Sequence, residues 1–384
     1  MEIVFYEDKH LEQIVEFIKK VWDKNYSKEK FLKERHHNLT HNPYGEQGGL
    51  PITLAIEDNQ IVGHLARIPC GFWLNGNEIL GYWLAGIHVL PEFRGKGLGK
   101  NLPRKIIENV SIVTGFFVVE ASLKIWQHLG WTVVGKIPEY LKFIQPSNFI
   151  LKVDFAGLAI VPNWIKKLFK FSGKIGRVII AVPFSLVIKV INLINEVNIK
   201  EQGTGSVRIV EEFDERLDKL WEKNKSFIKN CQVRKADYLN WMFKTEYGWK
   251  KFVYEIDSEV LGYAVVTTKS FEKGERLANI QVTSIIDLFW DFQNVNVLRI
   301  LLARIEQYAL DQNSEVLICS INNQDAQNIL KKHTFMKIPS SVFFAYYSAF
   351  DEIRKNISVD LNDWFLTRGD ADAAGSLVPK IKKD

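Results

Sequence analysis

Apolar positions recur along this chain with two periods, and the alternation between them lays out the same order of elements twice. Leu11, Ile14, Val15, Ile18, Val21 and Trp22 return at helical spacing, with Asp8 placed to cap the helix they predict. A second helix starts at Ser27. Strands follow at Ile52–Glu57 and Ile61–Leu74, joined through Asp58-Asn59. Asn75-Gly76 predicts a tight hairpin into a third strand, Glu78–Leu90. Next come a glycine-rich turn, a helix over Leu98–Val110, a strand over Val113–Val119, a helix ending at Leu129 and a strand at Thr132–Val134. The later part of the chain reads helix (Asp214–Ile228), strand (Lys251–Ile256), strand (Val260–Thr268) and strand (Ala278–Leu288). It then reads an amphipathic helix through Val295, Leu298, Leu301, Leu302, Ile305 and Tyr308, a strand (Glu315–Ser320), a helix (Asp325–His333) and a strand (Val342–Tyr347).

Short stretches echo as well. Ile61-Val62-Gly63-His64 matches Val260-Leu261-Gly262-Tyr263, and His128-Leu129-Gly130-Trp131 matches Lys332-His333-Thr334-Phe335. The separations between the two echoes, 68 and 73 residues, are nearly equal. The pattern predicts a duplicated unit of mixed α+β and α/β character. The expected division is 1–145, a connector 146–205, a second unit 206–355 and a tail 356–384.

Composition narrows the picture. With 384 residues, 47% hydrophobic and 25% charged, the chain has the apolar surface to build cores, which excludes general disorder. The net charge of +5 is small for this length and predicts no nucleic-acid partner. Its placement is uneven. Phe155 to Asn195 holds six basic residues (Lys166, Lys167, Lys170, Lys174, Arg177, Lys189) and no acid, so the rest of the chain sums to −1. That stretch is also rich in apolar residues, from Trp164 to Val178-Ile179-Ile180-Ala181-Val182. Its uncharged runs are too short to span a bilayer. Two readings fit: a connector of packed helices whose lysines reach into water, or peripheral contact with an anionic membrane. Cys70, Cys231 and Cys319 are isolated from one another and form no metal-ligand spacing. The early acids Glu2, Glu7 and Asp8 disfavour a leader peptide. These features predict a cytoplasmic location, with membrane association as the variant.

The sharpest chemical signal runs from Val89 to Lys100: Val-Leu-Pro-Glu-Phe-Arg-Gly-Lys-Gly-Leu-Gly-Lys, between a strand and a helix. Glycines at alternate positions let backbone approach a ligand, and the helix start offers free N–H groups and a positive dipole end. Such a loop binds phosphate or pyrophosphate. The Walker A spacing is absent, and the dinucleotide fingerprint fails because Lys100 stands where its third glycine belongs. What fits is Arg-x-x-Gly-x-Gly after Val-x-Pro, in which the chain resembles the GNAT acyltransferase superfamily from about Glu2 to Gln145.

That resemblance implies two GNAT-like domains, each a twisted, mixed but mainly antiparallel sheet flanked by helices, joined by the apolar basic connector. It implies that Arg94, Gly95, Lys96, Gly97, Leu98, Gly99 and Lys100 cradle the pyrophosphate of acetyl-coenzyme A, with Val89 on a splayed strand along the pantetheine arm. It implies acetyl transfer to a primary amine, the acceptor being an amino sugar of surface polysaccharide biosynthesis. Two rivals are a membrane-surface enzyme using a longer acyl chain or lipid-linked acceptor, and a non-catalytic coenzyme A-binding module.

Two positions depart from the family pattern. Trp126 stands where a tyrosine often protonates the leaving thiolate; an indole N–H donates a hydrogen bond but releases no proton near neutral pH. Pro103 removes a donor from the helix, which suits a helix starting nearer Leu102. In the second unit, Phe289-Trp290-Asp291-Phe292-Gln293-Asn294-Val295-Asn296 replaces the phosphate turn and has neither glycine nor arginine. That unit is expected not to bind coenzyme A. Candidates for the base that accepts the amine's proton are His88, beside the loop, then Glu120 and His64. Trp126 is either a weak thiolate partner or core. His37 and His41 lie four apart but Pro43 follows and no third ligand is near, so no metal is expected, and His36, His37 and His41 read as surface residues. Cys70 reads as inert core.

Overall fold

The computed structural model of the chain describes residues 1–36, 41–45, 52–117, 120–153, 167, 173–196, 205–271 and 277–370. The first half runs β1 (Glu2–Phe5), α1 (Leu11–Val21), α2 (Lys28–His36), β2 (Ile52–Glu57), β3 (Gln60–Leu74), β4 (Asn77–Val89), α3 (Leu98–Ile106), β5 (Val113–Phe117), α4 (Glu120–His128), β6 (Thr132–Lys136) and β7 (Glu139–Phe143). Helices α5 (Pro146–Lys152) and α6 (Gly173–Glu196) lie in the connector. The second half runs β8 (Ser206–Val210), α7 (Glu215–Asn224), β9 (Asn230–Gln232), α8 (Ala236–Met242), β10 (Lys250–Ile256), β11 (Glu259–Ser270), β12 (Gln281–Trp290) and α9 (Val295–Asp311). It closes with β13 (Val316–Ser320), α10 (Gln324–Lys332), β14 (Met336–Ile338), β15 (Phe343–Tyr347), α11 (Asp351–Asn356) and β16 (Trp364–Phe365).

Two mixed sheets result, of nine and seven strands, and seven strands of the first follow the same order as the second. The first has the order β1-β2-β3-β4-β5-β15-β6, and the second, read in the same direction, β8-β10-β11-β12-β13-β7-β14. In each sheet the strand in sixth place comes from the other half. Glu139–Phe143 pairs with β13 and β14 in the second sheet, and Phe343–Tyr347 pairs with β5 and β6 in the first. Cuts at 145 and 206 therefore divide the chain but not the sheets. The short strand β9 adds a further tie by pairing with β3.

The echoed residues do equivalent work. A Cβ on Gly63 would stand 2.9 Å from Leu102 on α3, and one on Gly262 would stand 2.6 Å from Val297 on α9. Each glycine lets its helix lie close on the strand. Gly130 and Thr334 both take positive φ after their helices, and the residues that follow, Trp131 and Phe335, donate N–H bonds back to Trp126 and Leu330. Two large apolar clusters form, one per sheet.

Three local expectations change. The turn Asp8–His10 precedes α1, and the Glu7 N–H is taken by His10 Nδ1 at 2.9 Å, so Asp8 lies inside the turn rather than at the cap. Helix α3 starts at Leu98 and ends at Ile106, with Pro103 buried inside it. The supposed tail is structured to Asp370: Trp364, Phe365, Leu366 and Asp370 are buried. Residues 371–384, like 154–166 of the connector, lie outside the described residues.

Candidate active site

Strands β4 and β5 run parallel and then part. They pair only at Tyr82↔Val113 and Trp83↔Thr114, although β4 continues to Val89 and β5 to Phe117. The cause lies on β4. Gly86 takes φ +59, and the register with β3 shifts between His64 and Ala66, so Gly86 and Ile87 both stand opposite Leu65. An extra residue on one strand bends it away from its neighbour. Among the described residues no strand covers the far edge of Leu84–Val89. An open strand edge offers N–H and C=O groups to an extended amide-bearing ligand.

The glycine loop begins where that edge ends. A turn at Pro91–Phe93 leads into Gly95 (φ +84) and Gly97 (φ +82), and Gly97 caps α3. A Cβ on Gly95 would meet nothing within 4 Å, and one on Gly97 only the Asn101 amide at 3.8 Å. Packing does not call for these glycines; the left-handed backbone does. Leu98 is buried and anchors the helix start, whose first-turn amides face the loop. Arg94, Lys96 and Lys100 are exposed around it. Arg94 Nε donates to the Val89 carbonyl at 3.2 Å, and Lys96 lies 4.5 Å from the Phe93 ring centroid and 3.7 Å from Glu57. Open edge, loop and cations are contiguous, which suits a ligand with an anionic end and an extended amide arm.

His88 and His64 are register partners on the face that carries α1. Their rings pack with Phe17 and Trp22 at centroid distances of 5.3–6.2 Å. His64 is buried and its Nδ1 lies 2.8 Å from the Gly86 carbonyl, which fixes the donor on that nitrogen. Burial pushes its pKa down to about 4. His88 is half-buried; partial burial and then the Arg94 charge lower its pKa. It is the more accessible of the two. Val89 sits on the opposite face, toward α3.

Other predicted residues fall elsewhere. Trp126 is 2% exposed and packs 4.8 Å from Trp131 and 5.4 Å from Phe117, centroid to centroid. Its surroundings are those of a core residue, the second of the two readings left open by the sequence. Glu120 opens α4 rather than ending a strand, and its side chain lies outside the described residues. His41 is exposed; His37 and the His36 side chain lie outside the described residues. No metal-binding cluster occurs among the described residues. Cys70 is buried, and burial raises its thiol pKa well above the usual value.

The corresponding place in the second sheet is closed. β12 and β13 pair over four positions, Val282–Ile285 with Val316–Cys319. Beyond them the C-terminal segment fills the gap: Thr367 bridges to Ile321, and the Gly369 N–H donates to the Ile286 carbonyl at 2.7 Å. Arg234 holds the segment by donating to both oxygens of Asp370 at 2.9 Å, while Asp287 accepts from Thr367 and Tyr263. The loop after β12 spends its amides internally, Phe292 N–H on Asn224 and Gln293 N–H on Asp291. Sequence patterning did not show this plug, because no periodic signal marks a short segment fixed by two distant charges.

A cavity of about 440 Å³ opens between His41 of the first half and residues of the second. Glu211, Glu212, Asp237 and Glu246 line it with Trp241 and Lys251. Lys251 donates to the Glu211 carbonyl and to Asn240 Oδ1, both at 2.9 Å, and burial lowers its pKa to about 8.

Two sheets share one strand order, one with an open edge beside the glycine loop and one with that place filled by the C-terminal segment. Residues 2–134 match the family profile described as acetyltransferase (GNAT) domain. Residues 2–134 are therefore a GNAT-type domain within the longer chain. No curated protein matches the sequence. Among solved structures, Saccharomyces cerevisiae N-myristoyltransferase with bound myristoyl-CoA is similar at TM-score 0.57 and 13% identity, over 93% of this chain and 88% of that one. A GCN5-related N-acetyltransferase from Kribbella flavida gives TM-score 0.53 and 12% identity, over 90% and 70%. A probable N-acyltransferase from Enterococcus faecalis gives TM-score 0.54 and 10% identity, over 94% and 73%. At such identities the likeness is one of fold.

Proposed function

We propose that this chain takes an acetyl group from acetyl-coenzyme A and transfers it to a primary amine, an amino sugar of surface polysaccharide biosynthesis. The observation that carries the reading is the open edge of β4 running into the glycine loop. Arg94, Lys96, Lys100 and the amides of Gly95 to Gly99 would hold the pyrophosphate, and Val89 and its neighbours on β4 the pantetheine amides. A short acyl group suits the junction of β4 and β5, where Trp83 is fully buried against Phe72, Phe116 and Phe344. Bound acetyl-coenzyme A supplies the activated thioester. The neutral acceptor nitrogen forms a C–N bond to the acyl carbon, the C–S bond breaks and coenzyme A leaves as its thiolate, and the proton lost by nitrogen passes through water to neutral His88. The cavity beside Trp241 supports an amino-sugar acceptor: its amide and carboxylate oxygens would accept from hydroxyls and from the neutral amine.

Calorimetry with acetyl-coenzyme A should show one site. Arg94→Ala should weaken binding roughly tenfold, the worth of a charge-assisted hydrogen bond. Gly97→Asp should abolish binding by placing strain and negative charge on the loop. Absence of binding at millimolar ligand overturns the assignment. A thiol-release assay over amines, with myristoyl-coenzyme A as the alternative donor, identifies acyl length and acceptor. Turnover only with the long chain would replace the acetyl reading.

A further inference from the structure

Helix α6 buries one face and leaves the other bare. Ala181 is buried, and Ile180 and Phe184 pack into a cluster with Phe143, Phe149 and Ile150. Arg177 anchors the start of this face by donating to the Leu151 and Val153 carbonyls at 2.9 and 3.1 Å. On the outward face stand Val178, Ile179, Val182, Leu186, Val187 and Val190, each 49–67% exposed. A surface helix ordinarily carries polar residues there. This one has no charged residue between Arg177 and Lys189. Six large apolar side chains on one helical face form a patch of the kind that marks a contact surface.

Charge says what covers it. The stretch from Phe155 to Asn195 holds six basic residues and no acid, while the rest of the chain is close to neutral. Lys167, ahead of the helix, is exposed. A protein partner with an apolar groove would require no such one-sided charge. An anionic lipid surface requires both parts, apolar side chains at the acyl boundary and cations among the phosphates. No helix among the described residues is long and apolar enough to cross a membrane. α6 is therefore suited to lie in the plane of the interface rather than across it.

We propose that α6 docks this chain onto an anionic membrane surface through Val178, Ile179, Val182, Leu186, Val187 and Val190, with the flanking lysines on the headgroups. The proposal goes beyond the acetyl-transfer reading and stands whether or not that reading does.

Flotation of the full chain with vesicles tests it. The protein should float with phosphatidylcholine–phosphatidylserine vesicles and several-fold less with phosphatidylcholine alone, and high salt should strip it. Ile179→Glu with Leu186→Glu should lower vesicle binding roughly tenfold or more, since two apolar side chains leave the interface. Its melting temperature and acetyl-coenzyme A affinity should stay at the parent values, because neither side chain touches core or loop. Lys167→Gln should lower binding roughly fivefold. Three results overturn the proposal: no flotation with either vesicle, equal flotation by the double variant, or sedimentation showing that this face closes a dimer which the double variant splits.

Discussion

Two histidines paired across β3 and β4 meet opposite fates through their surroundings. His64 is enclosed, and burial pushes its pKa from the ordinary 6.5 down to about 4. The unfolded chain therefore binds a proton at this site before the folded chain does. Stability is unaffected above pH 6.5, then falls as pH drops toward 4, by about 3 kcal/mol over the window. His64→Asn, which keeps a donor for the Gly86 carbonyl, should flatten this part of the stability profile, measured by urea unfolding at several pH values. An unchanged slope would mean that His64 is not neutral in the fold. His88 is less enclosed, and burial and Arg94 lower its pKa. As the proposed base it must be unprotonated, so kcat/KM should fall on an acid limb below pH 6.5. His88→Gln should remove the limb and reduce kcat roughly 10²–10⁴-fold. Arg94→Gln should move the limb up toward 6.5 in addition to weakening the donor. Both histidines were legible as candidates from their places beside the loop and the echo. Their burial was not, since it depends on Phe17 and Trp22 from a distant helix.

At the scale of elements, the glycine loop was readable because its spacing and its left-handed turns are local properties. The parting of β4 from β5 was not, because it follows from one bulge at Gly86 whose effect shows only against β3. The plug of the second sheet was less legible still. Its residues Phe365 to Asp370 carry no period; they are held by Arg234, 136 residues from Asp370, and by Asp287, 80 residues from Thr367. Arg234 is buried, and the two aspartates keep it charged. Asp370→Ala would leave the pairing incomplete inside the protein, a loss of about 3–5 kcal/mol. Denaturant unfolding should show that loss, whereas the stoichiometry of acetyl-coenzyme A should remain one, because the Phe292 and Gln293 amides after β12 stay taken up by Asn224 and Asp291. A second site appearing in this variant would mean that the plug alone had closed it.

At the scale of the molecule, the repeat was legible but the exchange of strands was not. β7 alternates half-buried and buried residues, a pattern that suits either sheet equally. Only the pairing of Tyr140 with Cys319, and of Ala345 with Gly115, shows that each half lends a strand to the other. Neither half is then complete. A fragment of residues 1–205 lacks β15, so β5 and β6 lose the strand between them. A fragment of residues 206–384 lacks β7, so β13 and β14 lose theirs. Each would expose unpaired strand edges beside an open core, the condition that drives aggregation. Expressed alone, each fragment should be insoluble or lack dispersed amide resonances. Expressed together, they should form a 1:1 complex that binds one acetyl-coenzyme A, and the intact chain should unfold in a single transition. A soluble, dispersed 1–205 fragment with the parent's affinity would show instead that the exchange decorates two units able to fold by themselves.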